Sequence, residues 1–357
     1  MNIAVIGCGN IAATHAQVLN EMGLRIALCV DNDIEISKAF AEKWHAGEYS
    51  GEVSRALESA IDVAHVCTPP ALHYGMVKAL INARKHVFCE KPLCLDNTEA
   101  DELAALAVKE KVVNAVGYNI RYHLPCREIA KRVQSPAFGR IYLIHGSYLQ
   151  EFNAFPAHLD WRYDKALAGS MRAVTEIGSH WFDLAQTLSG KKITAISAAF
   201  GNFNPTRRVE NGMMIGGGEP RAQIRVDSED AAVIHMKFED NAVGSVILSE
   251  VSQGRINRLH LEITGEHENV WWDSENNNVY HIGKKNAGIQ TSVFPFGNGF
   301  ADTQRLLFRQ VYGDIEAGAP SRNPSYPTFK HAAEIVRLCN AAYQSANGGS
   351  KWIQTSR

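Results

Sequence analysis

The 357-residue sequence predicts an α/β protein of two domains, a doubly wound parallel sheet followed by an α+β unit on a large, mostly antiparallel open sheet. Three observations carry that expectation. Short β-branched runs alternate with helical periodicity up to about residue 121. There the alternation stops. Beyond it, segments of period two dominate, and one pair is joined by hairpin chemistry. The expected division is therefore 1–121 and 122–357.

In the first part, "NIAVIG" (2–7), "RIALCVD" (25–31), "DVAHVCT" (62–68), "HVFCE" (86–90) and "VVNAVGY" (112–118) are compact apolar runs suited to strands buried on both faces. Between them "IAATHAQVLNEM", "DIEISKAFAEKW", "ALHYGMVKALINA" and "TEADELAALAVKE" place apolar residues three and four apart, the spacing of a helix with one buried face. After the helical "CREIAKRV", the strand-like segments are "RIYLIHGSYLQEF", "ITAISAAFGNF", "DAAVIHMKFED", "AVGSVILSEVS" and "RLHLEITG". Asp240 and Asn241 are turn residues between the third and fourth of these. Helices are expected near 171–188, 301–317 and 326–346. "MMIGGGEP" (213–220) is expected to be an exposed flexible loop. The open face of the second sheet is a surface suited to a homodimer or homotetramer.

A hydrophobic fraction of 45% and a charged fraction of 21% describe an ordinary globular chain. The net charge of −2 carries no footprint for nucleic acid or an anionic membrane. No basic stretch, apolar core and cleavage site precede the first strand, and no apolar run reaches bilayer length. Four of the seven cysteines, Cys8, Cys29, Cys67 and Cys89, lie in or beside apolar runs, where Cys serves as a small hydrophobe. A cytoplasmic protein is expected. Without close Cys pairs, no metal site is expected.

"GCGNIAA" (7–13) joins the first strand to the first helix and matches the dinucleotide fingerprint, with Ala13 in the third glycine place. Gly7 makes the tight turn and Gly9 allows close approach. The helix opening at Asn10 and Ile11 offers free N–H groups to a pyrophosphate. This makes the first domain Rossmann-type. Asp31, roughly 20 residues on, ends the second run where a carboxylate binds both ribose hydroxyls and repels a 2′-phosphate. Asn32 follows it and no Arg is adjacent, so NAD is favoured over NADP. The other reading of Asp31 is a helix cap. "CTPPALH" (67–73) and "CEKP" (89–92) end two further strands, at the edge where α/β sheets bind ligands. Cys67, Thr68, Pro69, Pro70 and His73 are expected along the cofactor. Glu90 and Lys91 are expected to face the crevice, Glu90 bonding the cofactor or orienting its neighbour and the lysine aiming an ammonium at the reacting oxygen. In "RAVTEIGSHWFDLAQTL" (172–188), Glu176, His180 and Asp183 share one helical face, as general-base machinery requires. A polar surface or a satisfied core histidine is the competing reading.

Taken together, GCGNIA, CTPPALH, EKP (90–92), GYNIRY (117–122) and EIGSHWFD (176–183) resemble the Gfo/Idh/MocA family of NAD(P)-dependent oxidoreductases, which includes inositol, glucose–fructose and other sugar dehydrogenases. The resemblance implies that Lys91 and His180 are the catalytic pair, with Glu176 beside them. It also places Asn119 and Arg121 in the crossing beside the nicotinamide. The chain departs from the family at two places: Glu176 stands where Asp is usual, and Pro70 where Asn is frequent. The extra methylene of Glu176 either keeps the His-orienting role or carries the carboxylate toward substrate.

The expected reaction is hydride transfer between NAD and a secondary alcohol of a sugar, glycoside or cyclitol, with His180 as base and Lys91 stabilising the alkoxide. "GSYLQEFNAFPAHLDWRYD" (146–164) is the expected recognition segment. Trp161 would stack on a sugar ring, and Tyr148, His158, Asp160 and Arg162 would bind hydroxyls; an aromatic-rich local core is the equal alternative. Arg121, Arg162 and Arg172 are the arginines available for a phosphorylated substrate. Two rivals remain: a glycosidase using tightly held NAD in transient oxidation, and a non-catalytic NAD-binding regulator.

Overall fold

The computed structural model describes residues 1–216, 223–295 and 299–355. Six parallel strands form the first sheet: β1 Ile3–Ile6, β2 Ile26–Val30, β3 Glu48–Ser50, β4 Val63–Val66, β5 His86–Cys89 and β6 Asn114–Val116. Their order is β3-β2-β1-β4-β5-β6. It reverses between β1 and β4, so the carboxyl ends of these strands open the ligand crevice. Every residue of β1 and β4 is buried, because helices cover both faces. Those helices are α1 Asn10–Glu21, α2 Ile34–Trp44, α3 His73–Asn82 and α4 Asn97–Glu110. Asp33 and Asp96 cap α2 and α4, each accepting two backbone N–H bonds of the first turn. The cap of α2 is therefore Asp33 and not Asp31.

Two compact units divide the chain: Met1–Asn119 with Phe300–Val336, and Ile120–Gly299 with Arg337–Arg357. The first differs from the expected 1–121 by the segment 300–336. The helix Phe300–Glu316 buries Leu307, Phe308, Val311 and Tyr312. Phe308 meets His65 and Phe88 edge-on, with ring centroids 5.0 and 4.9 Å apart. The period of a helix shows that it has an apolar face but not which distant strand that face covers.

The second unit begins with α5 Leu124–Val133 and β7 Ile141–Leu149. A small sheet pairs β8 Ala157–His158 with β10 Thr206–Glu210, β11 Met213–Ile215 and β12 Gln223–Arg225; α6 Lys165–Ala168 and α7 Ser179–Ser189 lie between β8 and β9 Ile193–Gly201 in sequence. The large sheet adds β13 Ala231–Phe238, β14 Val243–Ser249, β15 Arg258–Gly265, β16 Asn269–Asp273, β17 Val279–Lys284, β18 Gly288–Val293 and β19 Ile353–Gln354. Its order is β18-β17-β16-β15-β7-β14-β13-β9-β19, antiparallel except for β14 on β7. Helix Phe300–Glu316 is α8, and α9 is Phe329–Asn347.

All five predicted strands of this half are present. The β13–β14 hairpin turns through Asp240 and Asn241, both at positive φ (57° and 63°), which short polar side chains tolerate. The stretch 213–220 is corrected in part: Met213–Ile215 is the strand β11, with Met214 fully buried. Residues 217–220 of that expected loop lie outside the described residues. The short strands β3, β8, β10, β12, β19 and the β16–β18 meander were not expected.

Candidate active site

Gly7 has φ +85°, and a Cβ there would lie 2.9 Å from the carbonyl carbon and oxygen of Cys67. Only glycine lets β1 and β4 approach this closely before the chain turns into α1. At Gly9 a Cβ would meet open space, and α1 begins without a side-chain cap. Its first N–H groups are thus left for an external acceptor. Asn10 and Asn32 are exposed and Ile11 is half-buried. Asp31 ends β2 with Oδ2 accepting from the Cys8 N–H (2.8 Å) and Oδ1 from the Asp33 N–H (3.1 Å). Its oxygens keep further lone pairs on a half-exposed side chain. This turn, helix end and carboxylate fit a dinucleotide: bare backbone for pyrophosphate and an acceptor for ribose hydroxyls.

At the end of β4, Thr68 and Pro69 are half-buried, whereas Cys67, Pro70 and His73 are buried. His73 is corrected from an expected cofactor contact to a brace. Its Nδ1 lies 2.9 Å from the Pro92 carbonyl and its Nε2 2.7 Å from the Thr68 carbonyl, and the neutral ring, packed between the ends of β4 and β5, donates its one N–H to one of them. Burial holds this imidazole below its ordinary value, against the raising effect of those carbonyls. The Cys67 sulfur lies 3.4 Å from His15 Nδ1, and burial pushes its thiol well up.

Glu90 is also corrected. Its residue is 8% exposed, and the carboxylate turns inward instead of standing in the crevice. Oε1 lies 3.0 Å from His15 Nε2, and Oε2 accepts the Lys91 backbone N–H at 3.2 Å. Room for this comes from Gly117, where any Cβ would run into the carboxylate. Burying a carboxylate is costly unless it is hydrogen-bonded, and these partners answer that cost. Lys91 is half-buried and precedes a cis bond to Pro92. Asn119 is 2% exposed and donates to Thr303 Oγ1 at 2.8 Å. His15, His65, Gln304 and Tyr312 complete the surroundings and were missed. A histidine inside the apolar run "VAHV" was the available signal, since a buried polar group needs partners.

In the second unit, residues Val174–Gly178 form one π-helical turn, closed by the Ser179 N–H on the Val174 carbonyl, directly before α7. Such wide turns are uncommon and recur at functional sites. This one holds Glu176 in the wide turn, with His180 and Asp183 following in α7. Asp183 is 1% exposed and pairs with Arg121 through both oxygens, one contact at 3.1 Å. Glu176 is half-buried and accepts from Arg162 Nε at 3.2 Å, while Arg162 Nη1 reaches Asp160 at 2.9 Å. His180 is half-buried. The Arg162 guanidinium lies 4.5 Å from the Trp161 ring centroid, so one face of that ring is taken. Tyr148 is buried and its hydroxyl donates to Asn257 at 2.8 Å; His158 is exposed.

Arg172 is not available to a phosphorylated substrate. It is 1% exposed, bonded to Glu250 at 2.7 Å and to Asp230, and Arg207 joins the same Asp230 at 2.6 Å. Glu229, beside them, accepts the backbone N–H groups of Arg172 and Val174. Burial pushes this carboxyl up to about 7. With Arg121 and Arg162 on carboxylates of their own, the three arginines do not form an anion site.

Residues 1–118 match the model of an oxidoreductase family with an NAD-binding Rossmann fold, and residues 126–270 match the Gfo/Idh/MocA C-terminal domain. A levoglucosan dehydrogenase of Pseudarthrobacter phenanthrenivorans is 32% identical over 321 residues, covering 82% of this chain and 80% of that protein. A myo-inositol dehydrogenase of Streptomyces leeuwenhoekii is 24% identical over 355 residues, covering 98% of each. Among solved structures, a levoglucosan dehydrogenase in complex with NADH and L-sorbose superposes with a TM-score of 0.91 at 23% identity, covering 100% of this chain and 99% of that one. At that identity the likeness establishes the fold.

Proposed function

The chain belongs to the Gfo/Idh/MocA oxidoreductases, whose N-terminal domain is an NAD-binding Rossmann fold, and from that premise we propose that it is an NAD-dependent dehydrogenase interconverting a secondary alcohol of a sugar, glycoside or cyclitol with its ketone. The observation that carries this reading is the pairing of a built dinucleotide turn with the Glu90–Lys91 segment at the same edge of one sheet. The similarity to levoglucosan and myo-inositol dehydrogenases supports the substrate class.

NAD, when bound, supplies the two-electron acceptor for the carbinol hydride. Gly7, Gly9 and the first turn of α1 hold its pyrophosphate, and Asp31 selects the free ribose hydroxyl over a 2′-phosphate. Lys91 stabilises negative charge on the reacting oxygen through its Nζ. His180 takes the hydroxyl proton at an imidazole nitrogen, an effect of about 10²–10⁴ in rate. Glu176, anchored by Arg162, orients the substrate side of α7; Trp161, Arg162 and Arg121 border the substrate. A cytoplasmic setting is supported by seven free, buried thiols. Among the described residues, no helix is long and apolar enough to cross a membrane.

A homodimer or homotetramer through the large sheet is supported by Val233 and Ile247. They lie opposite each other in register, 43% and 52% exposed, with exposed Val243 farther along β14. Light scattering after gel filtration should show a multimer that Ile247→Glu weakens; a monomeric parent would refute it. The enzymatic reading is tested with a panel of free sugars, glycosides and inositols, offered with NAD and with NADP and scored by reduced nicotinamide.

A further inference from the structure

Four buried side chains in the first unit form a line that the proposed chemistry leaves unused. Glu90 Oε1 lies 3.0 Å from His15 Nε2, His15 Nδ1 lies 2.9 Å from His65 Nδ1, and His65 Nε2 lies 2.8 Å from the Tyr312 hydroxyl. His15 and His65 are fully buried and Tyr312 is 2% exposed. Two facing Nδ1 atoms share one proton, so these imidazoles cannot both be cations. Burial and the neighbouring His15 hold His65 well below the ordinary imidazole value, and burial pushes the Tyr312 phenol well up. Both are therefore neutral near pH 7.

With Glu90 as acceptor and both imidazoles neutral, one proton assignment satisfies every contact. Tyr312 donates its O–H to His65 Nε2, His65 donates Nδ1–H to His15, and His15 donates Nε2–H to Glu90. The Gln304 side-chain amide, 3.0 Å from His15 Nε2, then turns its oxygen to that proton. A proton on Glu90 would reverse both tautomers, so the carboxylate and the two rings act as one unit. The other titratable groups facing Glu90 are Cys67, Cys89 and His73. Burial pushes both thiols well up and holds His73 down, so none of the three brings a charge near pH 7.

We infer that Tyr312, His65 and His15 are positioning residues for the reaction: a directed hydrogen-bond chain fixes Glu90 as an acceptor in one orientation, and through its bond to the Lys91 N–H sets where the lysine stands. This rests on the dehydrogenase reading, so the test has one arm that needs no turnover. The full chain is labelled with ¹⁵N-histidine, and His15→Gln and His65→Gln assign the signals. Near pH 7, the expected spectrum shows His15 protonated on Nε2 and a neutral His65 protonated on Nδ1. His15 protonated on Nδ1 alone, or His65 as a cation, would overturn the chain's direction.

The second arm uses NAD and whichever polyol the panel finds active. Tyr312→Phe should lower kcat about three- to tenfold with substrate KM unchanged. His15→Leu should lower it by roughly a hundredfold, and His15→Gln, which returns an N–H toward Glu90, should recover about tenfold of that. Melting temperatures separate these effects from loss of fold; should His15→Leu not fold, Tyr312→Phe and His15→Gln decide alone. An unchanged kcat in Tyr312→Phe, or a His15→Gln no better than His15→Leu at equal stability, reduces the chain to core packing. If the parent turns over no polyol, the dehydrogenase reading fails, while the spectrum still decides the proton order.

Discussion

Asp31→Asn is the substitution whose consequences can be worked furthest from the structure. The carboxylate accepts one backbone N–H on each oxygen, from Cys8 at 2.8 Å and Asp33 at 3.1 Å. An amide keeps one oxygen and sets its own N–H groups against the other backbone donor, costing about 1–3 kcal/mol of local stability. Toward NAD, one charge-assisted bond to the ribose is lost, worth about 1.5–3 kcal/mol, or roughly 10- to 150-fold in affinity. Toward NADP, the carboxylate–phosphate repulsion is removed, about 3 kcal/mol for two unit charges roughly 5–6 Å apart at an effective dielectric near 20. The ratio of NAD to NADP affinity should therefore fall by more than about tenfold. Titration calorimetry of both dinucleotides on the cofactor-free chain reads this directly. An NAD affinity within twofold of the parent, or an unchanged ratio, would refute the ribose role and leave Asp31 as a turn residue.

Two further outcomes concern Gly7 and Glu229. Gly7→Ala forces a left-handed φ on an L side chain and drives its Cβ into Cys67 backbone; denaturant unfolding should show a loss of about 2–4 kcal/mol and NAD binding should fall more than tenfold. A parent-like midpoint would contradict the close approach of β1 and β4. Glu229, raised from 4.5 to about 7 chiefly by burial, contributes stability that is whole below about pH 4.5 and lost as pH rises through about 7. The melting temperature of the parent relative to Glu229→Gln should accordingly fall between about pH 5 and 8; a difference that stays constant over that range would mean the carboxyl ionises at its ordinary value.

Elements with strong periodicity were legible in advance. β1, β2, β4, β5 and the five long strands of the second unit fall within the segments predicted for them, because a run buried on both faces or alternating over seven or more residues leaves little choice. The hairpin at Asp240–Asn241 was legible for a local reason, the tolerance of these residues for positive φ. The three-residue strands β3, β11 and β12 were not, since so short a stretch has no measurable period. The placement of α8 with the first sheet depends on Phe308 meeting His65, a pairing across more than two hundred residues that no local pattern encodes. The site shows the same split. Gly7 and Gly9 lie in the turn before α1 and Asp31 ends β2, positions that local pattern was enough to locate. Glu90 turns inward because Gly117 leaves room for its carboxylate, and a glycine's vacancy is visible only in three dimensions. The π-turn before α7 likewise leaves no mark in helical periodicity.

Steady-state kinetics of the parent and of Lys91→Met, on the most active polyol with saturating NAD, test the dehydrogenase account most directly. The account predicts that the parent forms one reduced nicotinamide per ketone released and that the variant, with its fold and NAD binding retained, loses roughly two to four orders of magnitude in kcat. Ketone-free sugar release, or a variant within a few-fold of the parent, would contradict it.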